Sequence, residues 1–378
     1  MMTDLKPMEA VAALYAEGRQ DEARAIIASL ARAVFEGPHQ SPAGPAQRLM
    51  ARASHRLLQW TTRRHESAAP NQPAAGFRNR LLERSGHPYA SSLLASSHQD
   101  VESLVEGGDP MNGPYMMIAP EIRGAGTRWD RLFFNSVQGR DVQLRFIWET
   151  RATYEAACHR LDQGRPVRIK ALAAGTGLSL ILAYTQLLQN GYNPDMISVS
   201  ITDRDASNTS KTERLLAKLE STRTRVTSHE GAAGIAAITE DLFEARTADD
   251  PYDVVTAVGI LEYFPGFTCE TTEQRLRLPQ PAEKATALHL AAKIGEITAP
   301  SASLITNTYR PHASTRILEV FGKRFDYRER AHVAALLATA NFQPARLVGS
   351  GAIYDVEVHE KSDDKTSNPL ILPPGTLA

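Results

Sequence analysis

Apolar residues recur every three or four positions in the first part of the chain and gather into short unbroken runs in the second. That is a change from helical to buried-strand patterning. Val11, Leu14 and Tyr15, then Ile26, Ile27, Leu30 and Val34, predict two helices within residues 5–36, joined near Gly18. No second copy of this pair follows, so an ordinary helical hairpin is expected rather than a repeat array. Further helices are predicted over 45–64 and 76–105, flanked by the loop GPHQSPAGP and the polar stretch at 66–75. Residues 107–128 hold too much Gly and Pro for continuous regular structure and read as a long loop. A short aromatic segment containing Trp129, Phe133 and Phe134 then runs into a helix ending near Asp162.

From Val167 onward strands and helices alternate. Strands are predicted near 167–173, 197–202, 235–239, 253–258, 303–309, 345–349 and 353–359, with helices near 178–190, 208–220, 282–298 and 328–340. Strands separated by helical spacers imply a mostly parallel, doubly wound α/β sheet, with the last two strands forming an antiparallel hairpin at one end. The expected organisation is a helical N-terminal region with a lid loop (1–128), a Rossmann-like domain (129–360) and a mobile tail (361–378).

The segment VRIKALAAGTGLSL, 167–180, reads as a buried strand, a glycine turn and the start of a long helix. Gly175 and Gly177 let backbone approach a ligand where a Cβ would collide, and Thr176 can help to start the helix. About twenty residues on, ISVSITDRDASN places Asp203 at a strand's carboxyl end, where a carboxylate can accept both hydroxyls of a ribose. Asp205, two residues further, competes for that role. A third strand ends in ITEDLF, whose Glu240 and Asp241 read equally well as a solvated turn, and a fourth, DPYDVVTAVGILEYFPG, ends in Gly259, Glu262, Tyr263 and Phe264.

In this order the chain resembles the class I S-adenosylmethionine (SAM)-dependent methyltransferases over roughly residues 130–360. The resemblance implies a seven-stranded, mostly parallel sheet and SAM as cofactor, held in a cup of Gly175, Thr176, Gly177, Asp203, Asp241 and Gly259, with Leu242 flanking the adenine and Asp241 touching its amino group. One departure stands out. The acid expected four positions before the middle glycine is Ala171, and the motif's first glycine is Ala173. The amino-acid end of the cofactor must then be held in another way.

Methyl transfer asks the protein for in-line positioning, exclusion of water and, for weak nucleophiles, a general base. The base candidates are Glu262, Tyr309 and His312. A sulfonium also attracts aromatic faces, which Tyr115, Trp129, Phe133, Phe134, Tyr263 and Phe264 can offer, although core packing accounts for such residues as readily. Phe134 and Tyr263 are the aromatic site candidates, the former on a segment that a long loop allows to fold over the cup. The expected activity is methylation of a small molecule, in secondary metabolism. The alternative is an enzyme on the same fold that resembles the azetidine-2-carboxylate synthases and consumes SAM itself, releasing methylthioadenosine.

Composition narrows the partners. A formal net charge of -1 over 378 residues gives no bulk attraction to nucleic acid or anionic membrane. No apolar run reaches the ~18–20 residues of a transmembrane helix. Cys158 and Cys269 are the two cysteines, and with no signal peptide legible a cytoplasmic, reduced setting is expected. The histidines show no metal-ligand spacing, no P-loop occurs, and no Asp/Asn-Pro-Pro-Tyr/Phe signature points to methylation of DNA bases or protein glutamine. A dinucleotide fingerprint fails because position 180 is Leu where Gly is needed. The N-terminal helices are expected either to cover the acceptor or to build a homodimer.

Overall fold

The computed structural model describes residues 20–37, 137–219, 226–227, 232–243, 251–266, 286–310 and 325–363. The chain forms two compact units, residues 1–147 with 312–324, and residues 148–311 with 325–378. In the first unit, helix α1 (Gln20–Phe35) buries Leu30, Ala31 and Val34 at the helical spacing seen in the sequence. Helix α2 (Val137–Leu161) crosses from the first unit into the second. The expected helices at 45–64 and 76–105, the loop at 107–128, and Phe134 and His312 lie outside the described residues.

The second unit is built on one seven-stranded sheet in the order β3-β2-β1-β4-β5-β7-β6. Its elements are β1 (Val167–Ala171), α3 (Leu178–Gln189), β2 (Ile197–Asp203), α4 (Ala206–Leu219), β3 (Gly234–Thr239), β4 (Tyr252–Ala257), α5 (Ala287–Ile297), β5 (Thr298–Tyr309), α6 (Arg330–Ala338), β6 (Arg346–Ser350) and β7 (Tyr354–Glu360). β1 to β5 pair in parallel, and β7 runs antiparallel between β5 and β6. The expected terminal hairpin is therefore present, with its second strand inserted next to β5.

β2, ISVSITD, is buried along its whole length, as a central strand covered on both faces must be. One core layer joins β4 and β5 to α5 and α6 through Val255, Leu304, Leu290, Ile294, Leu336 and Leu337. The predicted helix near 282–298 is capped at Thr286, whose hydroxyl accepts the His289 N–H while the His289 ring accepts the Thr286 N–H. The fifth strand starts five residues before its predicted edge at 303, because Tyr252 pairs with Thr298 before the register slips and Val254 meets Ser303. Ser301 sits at φ 55 within that irregular stretch, too kinked to read as strand from the sequence alone.

The sheet order reverses between β1 and β4, since the chain moves outward to β2 and β3 and then returns to the other side of β1. A crevice opens outside the carboxyl ends of the strands at such a reversal. That is where the glycine turn, Asp203, Asp241 and the Gly259–Phe264 loop all lie.

Candidate functional site

After β1 the backbone turns through three left-handed positions, Ala173 (φ 48), Gly175 (φ 58) and Gly177 (φ 59). Only glycine adopts that region without strain, so Ala173 carries a cost where the motif would place a glycine. Gly177 has a second constraint: a Cβ there would lie 2.4 Å from Ile201 Cγ2. The turn thus presses the start of α3 directly onto β2. Gly177 occupies the helix N-cap without a side-chain hydrogen bond. The helix-starting role expected of Thr176 falls to that glycine, and Thr176 is instead buried, its carbonyl accepting the Thr212 hydroxyl at 3.0 Å.

Asp203 closes the other side of the turn. Its Oδ2 accepts the Gly175 N–H at 2.7 Å and its Oδ1 accepts the Asp205 N–H at 2.8 Å. The Asp203 carbonyl accepts the Glu240 N–H at 3.0 Å, which ties the tips of β2 and β3 together. Burial raises the Asp203 pKa, opposed by the hydrogen bonds from Asp205, Gly175 and Asn208. A carboxylate offers about four lone-pair sites, so one remains after the two backbone bonds and the bond from the Asn208 side chain.

The competition between Asp203 and Asp205 is resolved by geometry. Asp205 Oδ1 accepts the Ser207 N–H at 2.8 Å and its carbonyl accepts the Asn208 N–H, so it caps α4. Glu240 and Asp241 also separate. Glu240 pairs at 2.7 Å with Lys170, a lysine buried in the middle of β1, whereas Asp241 stays at the rim and accepts the Phe243 N–H. Leu242 packs against the α5–α6 core layer, and the next residue, Phe243, is exposed with its ring edge-on to Phe264 at 5.5 Å.

On the β4 side, Gly259 stands at φ 81 and donates its N–H to Asn307 Oδ1 on β5. The following single 3₁₀ turn, Leu261–Tyr263, buries Glu262 and leaves Tyr263 58% exposed, its ring 5.1 Å edge-on from Phe325. This loop is held by a residue that sequence reasoning passed over. Arg328, 2% exposed, donates to the carbonyls of Leu261, Phe264 and Gly266. Its only sequence signal is a polar position alternating with Phe325 and Tyr327. Tyr309 stacks on Tyr354 at 4.5 Å with Tyr327 edge-on at 4.9 Å. Burial, with the neighbouring phenols and Glu262, drives its pKa well above the phenol range, which works against Tyr309 as a general base.

Among the described residues, Gly175, Thr176, Gly177, Asp203, Asp241, Gly259, Glu262 and Tyr263 all belong to the carboxyl-end loops of β1, β2, β3 and β4. No cluster of metal-binding side chains occurs among the described residues, and no helix among them is long and apolar enough to cross a membrane. Fold and strand order together define a doubly wound Rossmann-like α/β protein with the seven-stranded class I methyltransferase layout.

No protein-family model and no curated protein matches the chain. Among solved structures it is similar to a possible exported protein from Bordetella parapertussis, at 15% identity and a TM-score of 0.49, over 82% of this chain and 97% of that one. It is similar at 13% identity and a TM-score of 0.40 to the magnesium protoporphyrin IX methyltransferase of Synechocystis PCC 6803, over 64% and 91%. Human N-acetylserotonin methyltransferase follows at 13% and 0.37, over 75% and 70%.

Proposed function

We propose that the chain is a SAM-dependent methyltransferase that acts on a small molecule, in secondary metabolism. The observation that carries this reading is the 2.7 Å bond from the Gly175 N–H to Asp203, which sets a left-handed glycine turn against a buried carboxylate at a sheet reversal. The lone-pair site left on that carboxylate can accept a ribose hydroxyl. Asp241 and the exposed Phe243 suit the adenine side, and the fit extends to small residues, Ala173 and Ala174, in the turn itself.

When bound, SAM supplies a methyl group on a positively charged sulfur, ready for displacement by an acceptor lone pair. The chain's own residues bind and orient. Asp203 and the Gly175–Gly177 turn hold the nucleoside, and Tyr263 and Phe264 offer aromatic faces near the β4 tip, worth ~0.5–2 kcal/mol each toward a cation. Among the described base candidates, Glu262 is favoured to take a proton from the acceptor over Tyr309, whose pKa burial raises. His312 and Phe134 remain candidates on the adjoining segments. The expected partners are the small-molecule acceptor and SAM, with no nucleic acid or membrane.

One feature favours a second reading, a SAM cyclase or lyase. Ala171, 1% exposed, stands where an acid would hold the amine, which leaves that amine available to attack its own γ-carbon. Incubation of the purified protein with SAM alone, followed by mass spectrometry, separates the two. SAM unchanged until an acceptor is added, then converted to S-adenosylhomocysteine, supports transfer; methylthioadenosine without acceptor supports cyclisation or cleavage. Absence of SAM binding by calorimetry would sink both.

A further inference from the structure

The opposite end of the sheet carries a second cleft that the proposed reaction does not use. It has a volume of about 540 Å³ and lies at the amino ends of β1, β2 and β4. That volume falls within the ~300–1,000 Å³ of small-molecule sites. β2 spans roughly 20 Å at ~3.3 Å per residue, so the cleft and the cofactor cup sit at opposite ends of one strand.

Its chemistry is basic. Arg160, Arg165 and Arg168 line it together with Asp195 and Asp253, an excess of one positive charge. Asp253 is engaged on both oxygens, by Arg160 at 2.6 Å and by the Arg168 N–H at 2.9 Å. It therefore orients Arg160 and offers little to a cationic ligand. Arg168 is further set by stacking over the Tyr252 ring at 4.8 Å. Arg165 is exposed on the loop between α2 and β1, and no ion pair to it occurs among the described residues.

An independent feature lies beside this cluster. Ser198 lines the cleft, is 6% exposed, and its hydroxyl has no hydrogen-bond partner among the described residues. A buried hydroxyl left unpaired costs about 1–3 kcal/mol, which a ligand acceptor can recover. Register places Ser198 between Arg168 and Gly234, and the glycine brings no side chain to fill the space on that side.

We propose that this cleft binds a small oxyanion, a phosphate monoester or carboxylate group, through Arg165, Arg160 and the Ser198 hydroxyl. Guanidinium forks match the geometry of both groups, and a hydroxyl donor completes the set. The inference stands apart from the SAM reading, since it concerns the other end of the sheet.

Calorimetry with inorganic phosphate and, separately, acetate, at ionic strength held constant with sodium chloride, tests it. Saturable binding is expected for at least one anion, and the stronger of the two names the ligand group. R165A and S198A should each weaken that binding at least tenfold. S198A removes an unpaired buried hydroxyl, so its thermal midpoint should be unchanged or raised, which separates lost binding from lost folding. Affinity for SAM should be the same in both variants as in the parent chain. No saturable heat with either anion, or heat unchanged in either variant, overturns the proposal.

Discussion

Replacing Gly177 with alanine probes the contact on which the cofactor cup is built. The new Cβ would stand 2.4 Å from Ile201 Cγ2 and 2.9 Å from Ile201 Cδ1, in a backbone held at φ +59. The left-handed conformation costs alanine about 1–2 kcal/mol. Forcing a methyl group against a buried isoleucine adds roughly 1–3 kcal/mol. The variant should therefore lose about 2–5 kcal/mol, a large part of the ~5–15 kcal/mol that holds an ordinary domain folded. Urea unfolding followed by far-UV circular dichroism measures it. A cycle with I201A isolates the clash: I201A alone should cost ~2–5 kcal/mol, but the double variant should fall ~1–3 kcal/mol short of the sum. The left-handed cost should remain in the double variant. A G177A stability within ~0.5 kcal/mol of the parent, or strictly additive costs, refutes both the close approach and the account of why glycine is required there.

Asp203→Asn should weaken SAM binding at least tenfold, about 1.4 kcal/mol by calorimetry, and lower the thermal midpoint as well, because an amide nitrogen would face the N–H of Gly175 or Asp205. Burial raises the Asp203 pKa, so its contribution to stability is full below the unfolded value and falls as pH rises through the folded one. Ribose hydroxyls bind the ionised form, so SAM affinity should weaken as pH drops through that raised range, and an affinity flat with pH removes Asp203 from the ribose. Arg328→Met should cost roughly 2–4 kcal/mol in urea unfolding, since the carbonyls of Leu261, Phe264 and Gly266 lose a charged donor; a neutral result would mean the β4 loop is held by other contacts. Burial works against ionisation of Glu357, but hydrogen bonds from His359 and Arg330 and their charges outweigh it and hold its pKa below the usual carboxylate value. That stability is present above the unfolded pKa and lost as pH falls through the folded one, so Glu357→Gln should flatten the acid limb of thermal midpoint against pH.

Much of the α/β body was legible in advance because its signals are local. The alternation of VRIKA at 167–171, the apolar centre of YDVVTA at 252–257 and the helical face of LSLILAYTQLLQ each bury themselves against whatever lies next to them, so burial demand writes strand and helix periods directly. Departures fall where non-local pairing intervenes. β5 begins at Thr298 because Tyr252 of the neighbouring strand takes it as a partner, and no residue between 298 and 302 announces that. Lys170 reads as an interruption of a core strand, yet it is buried against Glu240, seventy positions on, through a contact that only β1, β2 and β3 side by side can make.

The same division runs through the site. Residue types and order alone determined that a glycine turn, a strand-tip acid and an aromatic fourth-strand loop follow one another, since strand ends and turns have local signatures in Gly, Asp and apolar runs. Which acid faces the turn was decided only in three dimensions. Asp203 and Asp205 are equivalent as letters, but β2 pairing points one at the Gly175 N–H while the start of α4 takes the other as its cap. Glu240 and Asp241 divide likewise between a buried lysine and the rim. Hydrogen-bond direction and burial depend on neighbours distant in the chain, and so they come into being only when the sheet closes around them.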